Sequence, residues 1–149
     1  MEINQFNGQN RFLSNFYPCI ITYKDIIYPT TEHAYQAAKT TDNNIRKSIA
    51  KCPTPGIAKR LGRGVNIRPD WEAIKEEVML SLLRLKFKSG TYLAYRLVHT
   101  YPRDLIEGNT WHDNIWGDCG CYKCKNIVGQ NLLGNLLMQV RDELRTTPT

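Results

Sequence analysis

The chain has 149 residues, of which 42% are hydrophobic and 23% are charged, and its formal net charge is +6. This length predicts one domain with a core large enough to fold without disulfides, and the odd number of five cysteines agrees with reduced thiols. No apolar run is long enough to cross a bilayer and the first residues lack the apolar block of a signal peptide, so we expect a cytoplasmic protein without membrane partners, whose positive charge favours phosphate, nucleotide or DNA.

The first half of the chain predicts a hairpin followed by short helices. β-branched residues recur on both sides of Lys24-Asp25, a pair that favours a turn. Helical patterns follow the hairpin, and Pro55 stands where a proline often opens a helix. The predicted elements are a turn in Arg11–Tyr17, strands at Cys19–Tyr23 and Ile26–Tyr28, and helices at Asn43–Lys51 and Pro55–Leu61.

The segment YPTTEHAYQAAK, Tyr28–Lys39, predicts a short helix with a polar row. Pro29 is expected to end the preceding strand, and Thr30 or Thr31 to cap a helix that begins near Glu32. At about 100° per residue, polar side chains share one face of this helix and alanines lie toward the core. The two sets are Glu32, Tyr35, Gln36 and Lys39 against Ala34, Ala37 and Ala38. The polar row is either a rigidly supported site or an ordinary face exposed to water.

The second half of the chain is predicted to be mainly helical. Asp70 is expected to cap a long helix whose apolar residues recur at intervals of three and four, which strand geometry does not use. That stripe consists of Trp71, Ile74, Val78, Leu82 and Leu85. Further predicted elements are a helix at Thr91–Val98, a short strand at Asp104–Glu107 and a helix at Asn131–Leu144. The predicted fold class is therefore α+β, mainly α, with the site among helix starts and loops.

A basic segment, AKRLGRG, follows the predicted helix start at Pro55. Its arginines, Arg60 and Arg63, can each donate two parallel hydrogen bonds to a phosphate, and the adjacent glycines let a ligand approach the backbone. The same residues together with Lys59 would equally suit a solvated helix end, where cations stabilise the helix dipole. The segment is a candidate phosphate site with this alternative open.

An aromatic and acidic segment, EGNTWHDNIWGD, spans Glu107–Asp118 and is too rich in Gly and Asn to predict a regular element. Asp113, held near Trp116, could relay a proton or stabilise positive charge on a sugar. The alternative is that Trp111 and Trp116 are core residues and the acids form solvated turns.

Three cysteines follow in CGCYKC, at Cys119, Cys121 and Cys124. A closed zinc site needs four ligands, and paired CxxC motifs are absent, so Cys52 or His112 would have to complete one. We favour reduced loop thiols, and we expect no metal and no cofactor.

Six segments occur in a specific order: FLSNFYP, YPTTEHAYQAAK, AKRLGR, DWEAIKEEVMLSLLRLKF, LIEGNTWHDNIWG and NLLGNLLMQVRDEL. Together they resemble the NADAR family, also called YbiA-like, over nearly the whole chain. The resemblance implies a compact, mostly helical single domain that hydrolyses N-glycosidic bonds of phosphorylated ribose compounds. The implied substrates are ADP-ribose on guanine, as a nucleoside or in DNA, or early riboflavin-pathway intermediates. A module that binds ADP-ribose or nucleic acid without catalysis is the alternative.

The resemblance also implies roles for individual residues. Glu32 and Asp113 are the expected catalytic carboxylates, meeting in one aromatic-walled cleft. Lys39 could form a Schiff base with a ring-opened sugar, provided that burial lowers its pKa. The expected substrate-binding residues are Asn15, Phe16, Gln36, Arg60, Arg63, Trp71, Trp116 and Gly117. The loop from Cys119 to Gln130 is where this chain departs most from the family pattern.

Overall fold

The computed structural model describes residues 1–146. The chain divides into two units: one is Asn15–Lys86, and the other combines Met1–Ser14 with the residues from Phe87 onward. Six α-helices and short two-stranded sheets within residues 1–146 confirm the predicted α+β, mainly α class. The prediction of a single domain stays a prediction. Among the described residues, no helix combines the length and apolar character that spanning a membrane requires.

The elements follow the chain in a simple order. The strands are β1 Glu2–Ile3, β2 Pro18–Tyr23, β3 Ile26–Thr30, β4 Asp104–Leu105, β5 Gly108–Asn109 and β6 Asp118–Cys119. The α-helices are α1 Thr31–Ala37, α2 Asn43–Ala50, α3 Pro55–Gly62, α4 Trp71–Lys86, α5 Tyr92–Val98 and α6 Leu132–Thr146. Short 3-10 helices cover Gly8–Leu13 and Tyr122–Cys124.

The predicted hairpin forms from β2 and β3, which pair antiparallel. Lys24 and Asp25 both have positive φ, 52° and 67°, as two-residue hairpin turns require. The expectation that Pro29 ends the second strand is wrong, because β3 continues to Thr30. A two-stranded sheet has only edge strands, where a residue without an N–H is tolerated, and Pro29 lies at an irregularity in the pairing.

Side-chain caps explain where most of the helices in Asn15–Lys86 begin. Thr30 Oγ1 accepts a hydrogen bond from the His33 N–H at 3.1 Å, so Thr30 is the cap of α1. Thr54 caps α3 in the same way, directly before Pro55. Asp70 directly precedes α4, and its carboxylate accepts two hydrogen bonds from Arg68, at 2.6 and 3.1 Å, so its role as a side-chain cap stays a prediction.

Helix α4 buries most of its predicted stripe, with one exchange at its end. Leu85 was predicted to be in the core, which is wrong because its side chain is 44% exposed. Lys86 is buried instead, at 2% exposure. Four residues advance a helix by about 400°, so Lys86 returns close to the angular position of Leu82, while Leu85 is turned further away.

The other unit is built around α5 and α6, which pack together. Two parallel strand pairs lie beside them: β1 with β4, and β5 with β6. The strand predicted at Asp104–Glu107 is shorter than expected, and the segment Glu107–Asp118, predicted to be irregular, contains β5 near its start and the first residue of β6 at its end. Arg141 on α6 is buried and donates to Thr100 Oγ1 at 3.0 Å and to the Arg103 carbonyl at 2.7 Å.

Candidate functional site

The polar row of α1 is buried. Glu32 is 7% exposed and Gln36 is 3% exposed, Tyr35 is buried, and Lys39 is half-buried. The interpretation that this row faces water is therefore wrong. The reason is tertiary, because α2, α3, α4 and the hairpin all pack against this helix and cover both its faces.

Glu32 is the centre of a small polar cluster. Gln36 Nε2 donates a hydrogen bond to Glu32 Oε1 at 3.1 Å, one helical turn away. The Glu32 backbone N–H donates to the Asn15 carbonyl at 3.1 Å, which places Asn15 beside the start of α1. The neighbouring Phe16 is partly exposed. These contacts hold the Glu32 carboxylate in a region from which most water is excluded.

Within residues 1–146, two side-chain amide oxygens near Glu32 are buried without a hydrogen-bond partner. They belong to Asn15 Oδ1 and Gln36 Oε1. Asn15 Nδ2 has a contact, at 3.7 Å from the sulfur of Met79. Buried acceptors without partners are uncommon in folded proteins, so these two oxygens mark a polar region that the fold leaves unsatisfied.

Lys39 lies at the end of the same row. Its Nζ is 5.7 Å from the centre of the Tyr35 ring. Burial lowers the pKa of the Lys39 amine, the Glu32 carboxylate partly opposes that change, and the cations of Lys59 and Arg63 lower the pKa further. A nucleophilic role required that burial lower the pKa of Lys39, and burial does lower it. The nucleophilic role itself stays a prediction.

The back of the cluster is formed by aromatic rings. The rings of Tyr35 and Trp71 are 5.1 Å apart at an angle of 58°, and Trp71 is buried. The Arg68 N–H donates to the Lys39 carbonyl at 2.8 Å, which ties the start of α4 to the end of α1. Trp71 therefore supports the ring that lies beneath the Lys39 amine.

The basic segment lies on α3, which packs directly on α1. Gly62 makes this approach possible, because a Cβ at that position would overlap Gln36 Oε1. Arg60 and Arg63 are exposed, and the charge of Arg63 acts on Lys39. The basic end of α3 thus provides positive charge near the buried row.

Asp113 is held in a turn in the other unit. Its Oδ1 accepts hydrogen bonds from the N–H groups of Ile115 at 3.1 Å and Trp116 at 2.9 Å. The turn-forming interpretation is thus satisfied by one carboxylate oxygen. Trp111 is 60% exposed, so the interpretation that it belongs to the core is wrong, whereas Trp116 is half-buried.

Asn109 organises this loop, and sequence reasoning missed it. Its Oδ1 accepts from the N–H groups of Trp111 and Asp113 at 3.2 and 3.1 Å, and its Nδ2 donates to the Asp113 carbonyl at 2.8 Å. An irregular segment must satisfy its backbone groups through side chains, so an asparagine at the start of this segment was the signal to look for, and the structure shows that it is buried. Gly117 closes the loop, where a Cβ would overlap the Glu107 carbonyl.

Lys86 is a second residue that sequence reasoning missed. Its Nζ is 5.8 Å from the Tyr17 ring, and burial lowers the pKa of its amine to about 7 against an opposing effect of Cys19. The signal was present, because Lys86 stands four residues after the apolar Leu82 on the same helix face. A lysine in such a position is either buried or bends its amine outward.

The predicted site residues thus fall into two groups, each assembled within its own unit. The first group surrounds α1 and α3 in Asn15–Lys86: Asn15, Phe16, Glu32, Gln36, Lys39, Arg60, Arg63 and Trp71. The second group is in one loop of the other unit: Asp113, Trp116 and Gly117. That Glu32 and Asp113 meet in one cleft stays a prediction.

Several known proteins are similar to this chain. It is 39% identical over 133 residues to N-glycosidase YbiA of Escherichia coli, covering 88% of this chain and 79% of that protein. It is 36% identical over 137 residues to an N-glycosidase of Nostoc punctiforme, covering 89% of this chain and 84% of that one. A riboflavin biosynthesis protein of Vibrio vulnificus is 39% identical over 136 residues, which are 90% of this chain and 35% of the longer protein.

The fold is similar to a solved structure as well. The NMR structure of Escherichia coli YbiA aligns with a TM-score of 0.81 and 35% identity, covering 97% of this chain and 84% of that one. A family model described as the NADAR domain matches residues 4–145. The order of motifs, the fold and the similarity of the whole chain agree, and the protein belongs to the NADAR domain family.

Proposed function

We propose that this protein is an N-glycosidase that hydrolyses the C–N bond between a phosphorylated ribose and a base. The observation that carries the proposal is the cluster along α1 and just after its end, where a buried carboxylate, a buried amide and a half-buried amine of lowered pKa follow one another. The NADAR family match and the N-glycosidase names of relatives support the same chemistry. A buried carboxylate next to an amine is suited to a reaction that builds positive charge on a sugar.

Cleavage of this bond gives the ribose oxocarbenium character. One of the two carboxylates, Glu32 or Asp113, stabilises that charge, and the other donates a proton to the departing nitrogen of the base. The electron pair of the C–N bond leaves with the base. The oxygen of a water molecule then bonds to the anomeric carbon, and the proton it releases restores the acid.

Lys39 offers a covalent route to the same products. Its neutral amine attacks the anomeric carbon of a ring-opened sugar, the bond to the base breaks, and the base leaves with a proton. Water hydrolyses the resulting Schiff base, which releases the sugar and returns the amine. The lowered pKa of Lys39 supports this route because it increases the fraction of neutral amine near pH 7.

The proposed first substrate is ADP-ribose attached to guanine, as a nucleoside or as a DNA adduct. The net charge of +6, together with Arg60 on α3 and Arg63 directly after it, suits a substrate with several phosphates. Asn15 and Gln36 contribute polar side chains beside Glu32. Phe16, Trp116 and Gly117 complete the proposed binding residues.

A second candidate substrate is a ribosylaminopyrimidine phosphate of the riboflavin pathway. The similarity to riboflavin biosynthesis proteins of Vibrio vulnificus and Zea mays favours it, although this chain corresponds to only 35% and 23% of those proteins. The alternative to an enzyme is a module that binds ADP-ribose or nucleic acid without cleaving it.

A substrate panel tests the proposal. The purified protein is incubated with ADP-ribosylated guanosine, ADP-ribosylated DNA and a ribosylaminopyrimidine phosphate, and freed base and sugar are measured by mass spectrometry. We expect release, fastest from the guanine adducts. Fastest release from the pyrimidine would assign the second substrate, and binding of all three without release would overturn the enzyme and support a binding module.

Salt dependence separates the DNA adduct from the small molecules. When lysines and arginines neutralise DNA phosphates, counterions are released from the DNA. Binding to DNA should therefore weaken steeply as salt rises. We expect KM for the DNA adduct to rise with salt more steeply than KM for the guanosine adduct. Equal and flat dependences would identify the small molecule as the natural substrate.

A further inference from the structure

Four side chains in the unit from Phe87 onward converge on one point that the proposed glycosidase chemistry does not use. They are His112, Cys119, Cys121 and Cys124, and their donor atoms all lie within 4.8 Å of one another. Cys119 and Cys124 are buried, and Cys121 is half-buried. One nitrogen and three sulfurs directed at a common centre form the donor set of a structural zinc site.

The distances fit tetrahedral coordination. With Zn–S bonds of about 2.3 Å and a Zn–N bond of about 2.0–2.1 Å, neighbouring nitrogen and sulfur ligands lie about 3.6 Å apart. His112 Nδ1 is 3.4 Å from Cys124 Sγ, 3.3 Å from Cys121 Sγ and 3.9 Å from Cys119 Sγ. The cluster therefore has the size of one zinc coordination sphere, and it is completed by His112.

The backbone is shaped to deliver these donors. His112 has a φ of 70°, a backbone conformation that residues other than glycine rarely adopt, and its Nδ1 lies 3.3 Å from Cys121 Sγ. Cys119 is the last residue of β6, and Cys124 ends the 3-10 helix Tyr122–Cys124. The pairing of β5 with β6 places Asn109 opposite Cys119, and His112 lies in the loop between these two strands.

Asn114 supports the cluster from outside. Its Nδ2 donates to Cys124 Sγ at 3.4 Å, and its Oδ1 accepts from the Cys119 N–H at 2.9 Å. Hydrogen bonds to ligating sulfurs are the usual outer support of metal centres. Three thiolates around Zn²⁺ leave one net negative charge, which the neighbouring Lys123 and Lys125 can balance.

We infer that His112, Cys119, Cys121 and Cys124 bind one structural zinc ion. A disulfide would use two of the thiols at a bond length of about 2.05 Å and would leave the histidine and the third thiol without a purpose. Softer thiolate ligands with one imidazole favour Zn²⁺ over Mg²⁺ or Ca²⁺. The inference replaces the sequence-based preference for reduced loop thiols.

The ion would also fix the loop that carries Asp113, which follows His112 directly. That consequence rests on the proposed function. The metal site does not, because its test measures bound metal rather than glycosidase activity.

The test is the metal content of the whole chain, expressed without an affinity tag and purified under reducing conditions. We expect mass spectrometry to find about one zinc ion per chain, and Co²⁺ exchanged into the site to give the intense visible bands of tetrahedral thiolate coordination. A zinc content well below one ion per chain after exposure of the protein to excess Zn²⁺ would overturn the inference. Octahedral Co²⁺ bands would overturn it as well.

Matched variants assign the ligands. Cys119→Ser, Cys121→Ser, Cys124→Ser and His112→Ala should each weaken zinc binding by more than roughly tenfold in a chelator competition. The controls Cys19→Ser, Cys52→Ser and His99→Ala change cysteines and a histidine outside the cluster and should keep the wild-type metal content. An equal loss in the controls would contradict the assignment. The Co²⁺ spectrum of the wild-type chain decides the case even if a ligand variant fails to fold.

Discussion

The residues that matter most for the proposed reaction combine burial with charge. Glu32 is nearly inaccessible and hydrogen-bonded to Gln36, and Lys39 is partly desolvated beside the cations of α3. Charged groups are placed in such surroundings at an energetic cost, and sites of catalysis are where this most often occurs. The electrostatics of single residues therefore give the sharpest tests.

Glu32→Gln removes the charge while keeping the shape and a side-chain oxygen that can accept from Gln36. We expect turnover to fall by about a hundredfold or more, as for the loss of a positioned acid, base or charge-stabilising group. The measurement is kcat on the best substrate of the panel. Glu76→Gln, an exposed glutamate on α4, is the control. A near-normal rate in Glu32→Gln would remove this residue from the mechanism.

Asp113→Asn is a selective change because its side-chain oxygen can still accept the hydrogen bonds from Ile115 and Trp116. The turn should persist, and far-UV circular dichroism should be unchanged. We expect a loss of turnover of about a hundredfold or more, because the carboxylate and not the turn is lost. Asp25→Asn, in the exposed hairpin turn, is the control. Retained activity would limit Asp113 to its role in the turn.

The covalent route predicts a trapped intermediate on Lys39. Borohydride added during turnover should attach the sugar to this lysine, and peptide mass spectrometry should locate it. Because the pKa of Lys39 lies below its ordinary value, the rate of trapping should level off at a lower pH than for an exposed lysine. Lys39→Arg should abolish the adduct and Lys59→Arg should keep it. Full turnover of Lys39→Arg would exclude the covalent route.

At the scale of elements, the position of the candidate site depends on how closely α3 approaches α1. Gly62 faces Gln36 at this contact, and any side chain there would displace the amide that binds Glu32. Helix pairs that approach this closely need a small residue at the crossing. The contact therefore links the phosphate-binding candidate residues on α3 to the polar row on α1.

Gly62→Ala tests this contact. We expect it to lower the free energy of unfolding by about 1–3 kcal/mol, the usual effect of overpacking. Gly56→Ala on the same helix is the matched control, because its added Cβ would meet only Thr54 Oγ1, at 3.8 Å. Urea denaturation of both variants gives the comparison. Equal stabilities would show that α3 can shift without loss.

At the scale of the whole molecule, the free energy of unfolding depends on pH through the protonation of one buried amine, that of Lys86. The pKa of Lys86 is about 7 in the folded protein, against 10.5 as its ordinary value. Between these values the unfolded chain holds a proton that the folded chain does not, so stability rises with pH across this window. The gain is complete above the unfolded pKa and is lost as pH falls toward 7.

The Lys86→Met variant isolates this effect because it keeps the length of the side chain and removes the amine. From pH 7 to pH 9, the free energy of unfolding of the wild type should rise relative to that of the variant, by at most about 1.4 kcal/mol per pH unit. Urea denaturation at several pH values measures the difference. A pH-independent difference would show that Lys86 keeps its proton in the folded state.

Much of the fold could be predicted because its signals are local. Apolar residues at intervals of three and four predicted α4, and Thr30 and Pro55 predicted helix starts that the structure confirms. The pairings of β1 with β4 and of β5 with β6 could not be predicted, because strands of two residues carry no period and depend on distant parts of the chain.

The sequence by itself determined the family, the helix periods and the identity of the polar row on α1, since each is a property of neighbouring residues in order. Only the tertiary structure decided that this row is buried, that Lys86 rather than Leu85 is in the core, and that His112 joins the three cysteines. Burial and convergence depend on which segments pack together, and residues far apart along the chain settle that. The pKa of Lys39 follows from such packing, whereas the proposed zinc site follows from the fold of one short segment, through the turn at His112 and the pairing of β5 with β6.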